Sequence, residues 1–143
     1  MNNLERLNTI LLVDDDDDAS NFLHSIFINK LDMDVNINSA LNGQEALDFI
    51  LGKGQEKLEL PCMVMLDLRM PVMDGWQFMK SYEDMVPKKL KDQITIVLVT
   101  ISDNQDDKER ANTNKYVADY AQKPLSDETF KALIQKHFSL AAI

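Results

Sequence analysis

Three short, almost uniformly apolar runs separated by stretches of helical periodicity predict an α/β fold, a doubly wound five-stranded parallel sheet with helices on both faces. The runs are TILLV at 9–13, CMVML at 62–66 and ITIVLV at 94–99. Continuous rather than alternating hydrophobicity is what strands covered on both faces require. Two weaker candidates, VNINSA at 35–40 and YVADYA at 116–121, complete five β-then-α units. Parallel neighbours in one sheet demand right-handed crossovers between them.

The intervening segments carry the helical signal. In SNFLHSIFINKL, Phe22, Leu23, Ile26, Phe27 and Leu31 recur at helical spacing, and GQEALDFILGK places Ala46, Leu47, Ile50 and Leu51 on one stripe. GWQFMKSYEDM and SDETFKALIQKHF read the same way, the second opening on Ser126 as an N-cap. Residues 103–115, DNQDDKERANTNK, form the most polar helix candidate, and GKGQEKLELP at 52–61 reads as a loop. The chain has no internal repeat and no low-complexity linker.

A length of 143 residues predicts one domain, 1–143, with a core of about 8–140. A hydrophobic content of 45% argues against disorder. No apolar run approaches the roughly 20 residues that cross a bilayer. MNNLERLN is not a secretory leader, and the lone Cys62 reads as a small buried hydrophobe. A cytoplasmic protein without membrane contact is the expectation. The net charge of −9, with no basic stripe to offset it, counts against direct nucleic-acid binding. Magnesium, basic peptides or a positive face of another protein fit that charge.

The chemistry gathers at strand ends. LLVDDDDDAS runs Leu11–Val13 into five aspartates, Asp14 to Asp18. Asp67 follows the third strand, Thr100 the fourth, and Lys123 lies just past the fifth. In doubly wound sheets the site lies beyond the carboxyl ends of the strands, so these side chains are expected on one rim. Clustered carboxylates do not all stay ionised cheaply without a cation, and an all-oxygen donor set suits Mg²⁺. A lysine and a hydroxyl beside them complement phosphoryl oxygens. The set reads as acyl-phosphate chemistry on an aspartate.

With LLVDD, MLDLRMPVMDGW, VLVT and DYAQKP in this order, the chain resembles a response-regulator receiver domain of two-component signalling, over roughly residues 8–140. The resemblance implies a flavodoxin-like three-layer sandwich of strand order 2-1-3-4-5. It makes Asp67 the phosphoacceptor, Asp14 and Asp15 the acidic pair serving Mg²⁺, and the backbone carbonyl of Arg69 a further metal ligand. Thr100 is implied as the hydroxyl that swings toward the phosphoryl group, Lys123 as its ion-pairing lysine, and Tyr120 as the aromatic that changes rotamer. A cis Lys123–Pro124 bond is implied too. Partners would be a sensor histidine kinase or a histidine phosphotransfer protein, and a downstream protein bound by the face at about 103–138. The implied molecule is a stand-alone receiver with no output domain. It is not an enzyme beyond slow autodephosphorylation.

The remaining aspartates, Asp16 to Asp18, sit where a helix is expected to begin, where carboxylates complement its dipole. Asp74-Gly75 reads as a turn before a helix, with Gly75 supplying backbone freedom. His24, His137, Trp76 and the methionines at 63, 65, 70, 73 and 79 read as packing residues. An EF-hand read from Asp14 fails, since Ala19 and Ser25 stand where Gly and Glu are needed. Two rivals remain. The D-x-D after an apolar strand also suits an aspartyl-phosphate phosphohydrolase of haloacid-dehalogenase type, and a pseudo-receiver would keep the fold without being phosphorylated. One departure from the family stands out. Bulky Ile101 follows Thr100 where a small residue is usual, and Arg69 stands two positions beyond Asp67. Ile101 is expected to gate access to the phosphorylation site, the alternative being that it packs under the fourth helix.

Overall fold

The computed structural model describes residues 6–15, 35–54, 57–101, 103–123 and 125–138. The elements are β1 (Thr9–Val13), β2 (Asn36–Ala40), α1 (Gly43–Ile50), β3 (Cys62–Leu66), α2 (Gly75–Met85), α3 (Lys88–Lys91), β4 (Ile94–Thr100), α4 (Gln105–Thr113), β5 (Val117–Gln122) and α5 (Asp127–His137). The five strands form one parallel sheet of order β2-β1-β3-β4-β5, the flavodoxin-like arrangement expected above. The expected helix around 20–31, the placement of Asp16 to Asp18, His24 and the Lys123–Pro124 bond all lie outside the described residues. Among the described residues, the Leu60–Pro61 bond is cis.

Burial explains why some strands were plain in the sequence and others faint. All residues of the central strands β1 and β3 are buried. The edge strands β2 and β5 are largely half-exposed or exposed, so their sequences are mixed. Side chains alternate between faces with the period of two that a strand imposes. Leu11, Val13, Val64, Leu66, Ile96 and Leu98 face one core, which Leu47, Phe78, Met79, Tyr82 and Ala111 close. Ile10, Leu12, Met63, Met65, Val97 and Val99 face the other, against Phe130, Leu133, Ile134 and Phe138. Cys62 is fully buried within the first core.

Caps start the helices where they do. Asn42 accepts from the Glu45 amide at α1, and Asn104 from the Asp106 and Asp107 amides at α4. Ser126 accepts from the Thr129 amide at α5, as its sequence suggested. Asp74 begins α2 with a reciprocal capping box: it accepts from the Gln77 amide at 2.8 Å, and Gln77 Oε1 accepts from the Asp74 amide at 2.9 Å. The polar α4 buries only Ala111, which accounts for its weak periodicity.

Candidate functional site

Three candidate site residues at the rim, Asp14, Asp67 and Lys123, are each fixed by a backbone bond that prolongs the sheet by one step. The Asp14 amide donates to the Ala40 carbonyl at 3.0 Å, and the Asp67 amide to the Val13 carbonyl at 2.9 Å. The Lys123 amide donates to the Thr100 carbonyl, also at 2.9 Å. The strands therefore deliver these side chains to the same edge with their backbones held in the ladder.

The carboxylates converge there. One oxygen from each of Asp14, Asp15 and Asp67 lies within 4.8 Å of the others. Asp14 is buried and Asp67 half-buried, while Asp15 is exposed. Lys123 Nζ bonds Asp14 Oδ2 and lies 3.1 Å from Asp67 Oδ2. Burial alone would lower the Lys123 pKa, but the bond to Asp14 and the charges of Asp67 and Asp14 outweigh it and hold the ammonium above its ordinary value. One ammonium among three carboxylates leaves the cluster negative. All-oxygen donors at this separation fit Mg²⁺, which takes one or two carboxylates and completes its shell with water and phosphate oxygens.

Around this cluster lie the other candidates. Thr100 is fully buried at the end of β4, and Ile101 beside it is 70% exposed, so it does not pack under α4. Tyr120 on β5 is half-buried against the core on the α2 side. Arg69 is exposed, and its amide donates to Asp67 Oδ1 at 3.3 Å, which helps to orient that carboxylate.

The loop from Asp67 to Asp74 is held tightly. The Gly75 amide donates to the Leu68 carbonyl at 2.9 Å, and a Cβ on Gly75 would stand 2.7 Å from the Asp67 carbonyl oxygen. Close approach, rather than the conformational freedom expected from the sequence, is what glycine supplies here: no positive φ occurs at Gly75. Val72, 81% exposed, takes φ 67 in a tight turn closed by the Met73 amide on the Pro71 carbonyl at 2.7 Å. That region is strained for a β-branched residue.

Two contacts escaped the sequence. Trp76, read as packing, also donates through Nε1 to Asp107 at 3.1 Å, and the Arg110 guanidinium lies 4.4 Å above its ring. These tie α2 to α4 beside a cleft of about 310 Å³ that Arg69, Met70 and Asp74 help to line. His137 Nε2 sits 2.6 Å from Asp119 and Lys136 at 3.1 Å from it, joining α5 to β5. Neither pairing has a short-range signal, because 31 and 18 positions separate the partners.

A five-stranded 2-1-3-4-5 sheet with an acidic cluster and a lysine at its carboxyl rim defines a class of signalling domain. The sequence profile described as "Response regulator receiver domain" matches residues 10–135, and the chain belongs to that family. It is 33% identical over 128 residues to the probable methanogenesis regulatory protein FilR2 of Methanothrix harundinacea (strain 6Ac), covering 89% of this chain and 79% of that protein. A two-component response regulator from Cytophaga hutchinsonii superposes with TM-score 0.75 at 24% identity, over 92% of this chain and 97% of the other. The bacteriophytochrome response regulator AtBRR gives TM-score 0.73 at 26% identity, over 92% and 93% of the two chains. The protein is thus a receiver domain of two-component signalling with an acidic pocket, and such domains are generally signalling modules rather than enzymes. Among the described residues no helix is long and apolar enough to cross a membrane.

Proposed function

We propose that this domain accepts a phosphoryl group on Asp67 from a phosphohistidine donor, a histidine kinase or a phosphotransfer protein, and then switches a protein-binding face. The observation that carries the reading is Lys123 Nζ bonded to Asp14 and 3.1 Å from Asp67 within the three-carboxylate cluster. A carboxylate oxygen of Asp67 attacks phosphorus, the phosphorus–nitrogen bond breaks, and its electron pair leaves with the imidazole nitrogen, which is then protonated. Lys123 neutralises charge on the transferred group, and the Arg69 amide orients the attacking carboxylate. Mg²⁺, held by Asp14, Asp15, Asp67 and the Arg69 carbonyl, would supply further charge neutralisation when bound.

After transfer, the Thr100 hydroxyl turns toward the phosphoryl oxygens and Tyr120 follows, changing the face formed by α4, β5 and α5. Ile101 stands at the mouth and limits how phosphodonor enters and how water reaches the acyl phosphate. In this reading the domain acts by protein contact and slowly loses its own phosphoryl group.

Incubation with a labelled small-molecule phosphodonor and Mg²⁺ tests the reading: the wild type should take up acid-labile phosphate and Asp67→Asn none. The phosphohydrolase alternative instead requires multiple turnover of a phosphomonoester that depends on Asp14. The pseudo-receiver alternative requires no labelling at all.

A further inference from the structure

A second concave site lies at the other end of β4. This strand runs from Ile94 to Thr100, and six steps of about 3.3 Å put its start roughly 20 Å from the acidic rim. β5 begins to pair only at Val117, opposite Ile96, so the first residues of β4 have no neighbour on that side. The gap is a cleft of about 550 Å³, within the range of small-molecule sites. Ile94, Thr95 and Ile96 form part of its wall, α3 and the α4–β5 turn supply most of the rest, and Tyr82, Ala118 and His137 complete it.

Its charge is opposite to that of the chain. Lys88 and Lys91 of α3 and Lys115 of the turn line it, with one carboxylate, Asp92, in a protein of net charge −9. Asp92 is occupied by Lys88 at 3.0 Å. Lys91 Nζ donates to the backbone carbonyl of Glu83 at 2.7 Å and lies 4.6 Å from the centre of the Tyr116 ring, and Lys115 Nζ lies 5.1 Å from that ring. Among the described residues, neither Lys91 nor Lys115 has a carboxylate within ion-pair distance.

An independent observation points to a ligand. Tyr82 is 1% exposed and lines the same cleft, and among the described residues its hydroxyl has no hydrogen-bond partner. Its ring is fixed by Phe78 at 5.7 Å and by the edge of Tyr116 at 5.8 Å. A buried hydroxyl without a partner costs free energy that a hydrogen bond recovers.

We propose that this cleft binds a small phosphorylated molecule of nucleotide size, with Lys91 and Lys115 on the phosphate and the Tyr82 hydroxyl donating to an acceptor on the ligand. The site is independent of Asp67 and of phosphoryl transfer there. Oxygens of a phosphate take charge-assisted bonds from both ammonium groups, and the half-buried Tyr116 and exposed Ala118, which also line the cleft, face the organic part.

The test is calorimetric titration of ADP, without Mg²⁺ and in the presence of EDTA, with amide shifts followed by NMR. Saturable, salt-weakened binding is expected, with shifts centred on residues 115–118. Tyr82→Phe, which removes only the hydroxyl, should weaken it about fivefold, and Lys91→Ala about tenfold. Asp67→Asn should bind as the wild type does. Inorganic phosphate alone should bind more weakly than ADP; equal affinity would overturn the role of the organic part. The site is refuted by absent saturation, by shifts confined to the acidic rim, or by unchanged affinity in Tyr82→Phe and Lys91→Ala. Binding of a polyglutamate peptide but not of ADP would likewise overturn it in favour of an acidic protein partner. Melting of each variant at the wild-type temperature shows that lost binding is not lost folding.

Discussion

The ammonium of Lys123 lies 3.1 Å from Oδ2 of Asp67, although 56 sequence positions separate them. It also bonds Asp14, whose side chain is only 9% exposed. Lys123→Met would leave these carboxylates facing one another without a counter-charge. The expected loss is about 2 kcal/mol, below the full value for a buried pair because Lys123 is partly solvated. If Mg²⁺ binds the same carboxylate oxygens, as proposed, it should shrink that deficit. Urea melts of both proteins in EDTA and in Mg²⁺ measure it, and equal deficits in the two buffers would contradict the shared site.

Ile101 gives a kinetic prediction. It is 70% exposed beside the buried Thr100, so Ile101→Ala should change stability by less than about 0.5 kcal/mol. If it limits access, the same change should speed phosphorylation and dephosphorylation together. A tenfold change would correspond to about 1.4 kcal/mol in barrier. Time courses of phosphate gain and loss decide it; unchanged rates would remove the gate.

Gly75→Ala should disturb both fold and site. The new Cβ would stand 2.7 Å from the Asp67 carbonyl oxygen and 2.8 Å from Leu68 Cα, and neither is the free end of a side chain. A destabilisation of about 2 kcal/mol or more is expected, with slower labelling of Asp67 in the folded fraction. A variant that melts and labels like the wild type would show that the loop yields without cost.

Asp119 supplies the pH dependence. Burial would raise its pKa, but the hydrogen bonds from His137 and Lys136 outweigh this and hold the carboxyl below its usual value of 3.8. A folded-state pKa below the unfolded one stabilises the fold above the unfolded value, and the effect is lost as pH falls through the folded one. Asp119→Asn should therefore cost about 1 kcal/mol near neutrality, and the gap to wild type should close only below about pH 3.8. A constant gap down to strongly acid pH would assign the effect to something other than this charge.

The legible parts of this protein are those written in short-range pattern. β1 and β3 are buried throughout and read as unbroken apolar runs, and the ordered motifs that contain Asp14, Asp67, Thr100 and Lys123 fall at the ends of strands. The edge strand β2 was faint because one buried residue, Ala40, closes an otherwise exposed or half-exposed run. The four-residue α3 buries nothing and carries no apolar stripe to find. Pairings such as Trp76 with Asp107 and His137 with Asp119 come from the packing of α2 on α4 and of α5 on β5, which no local spacing encodes. The cleft at Tyr82 was equally hidden, since it arises where β5 starts later than β4.

The most direct measurement of the central claim is mass spectrometry of protein incubated with a phosphodonor and Mg²⁺, then reduced with borohydride to trap the acyl phosphate. The account predicts one modified residue, at Asp67, that appears with Mg²⁺ and is absent with EDTA. Modification at Asp14 or Asp15, or none under conditions that label a known receiver, would contradict it.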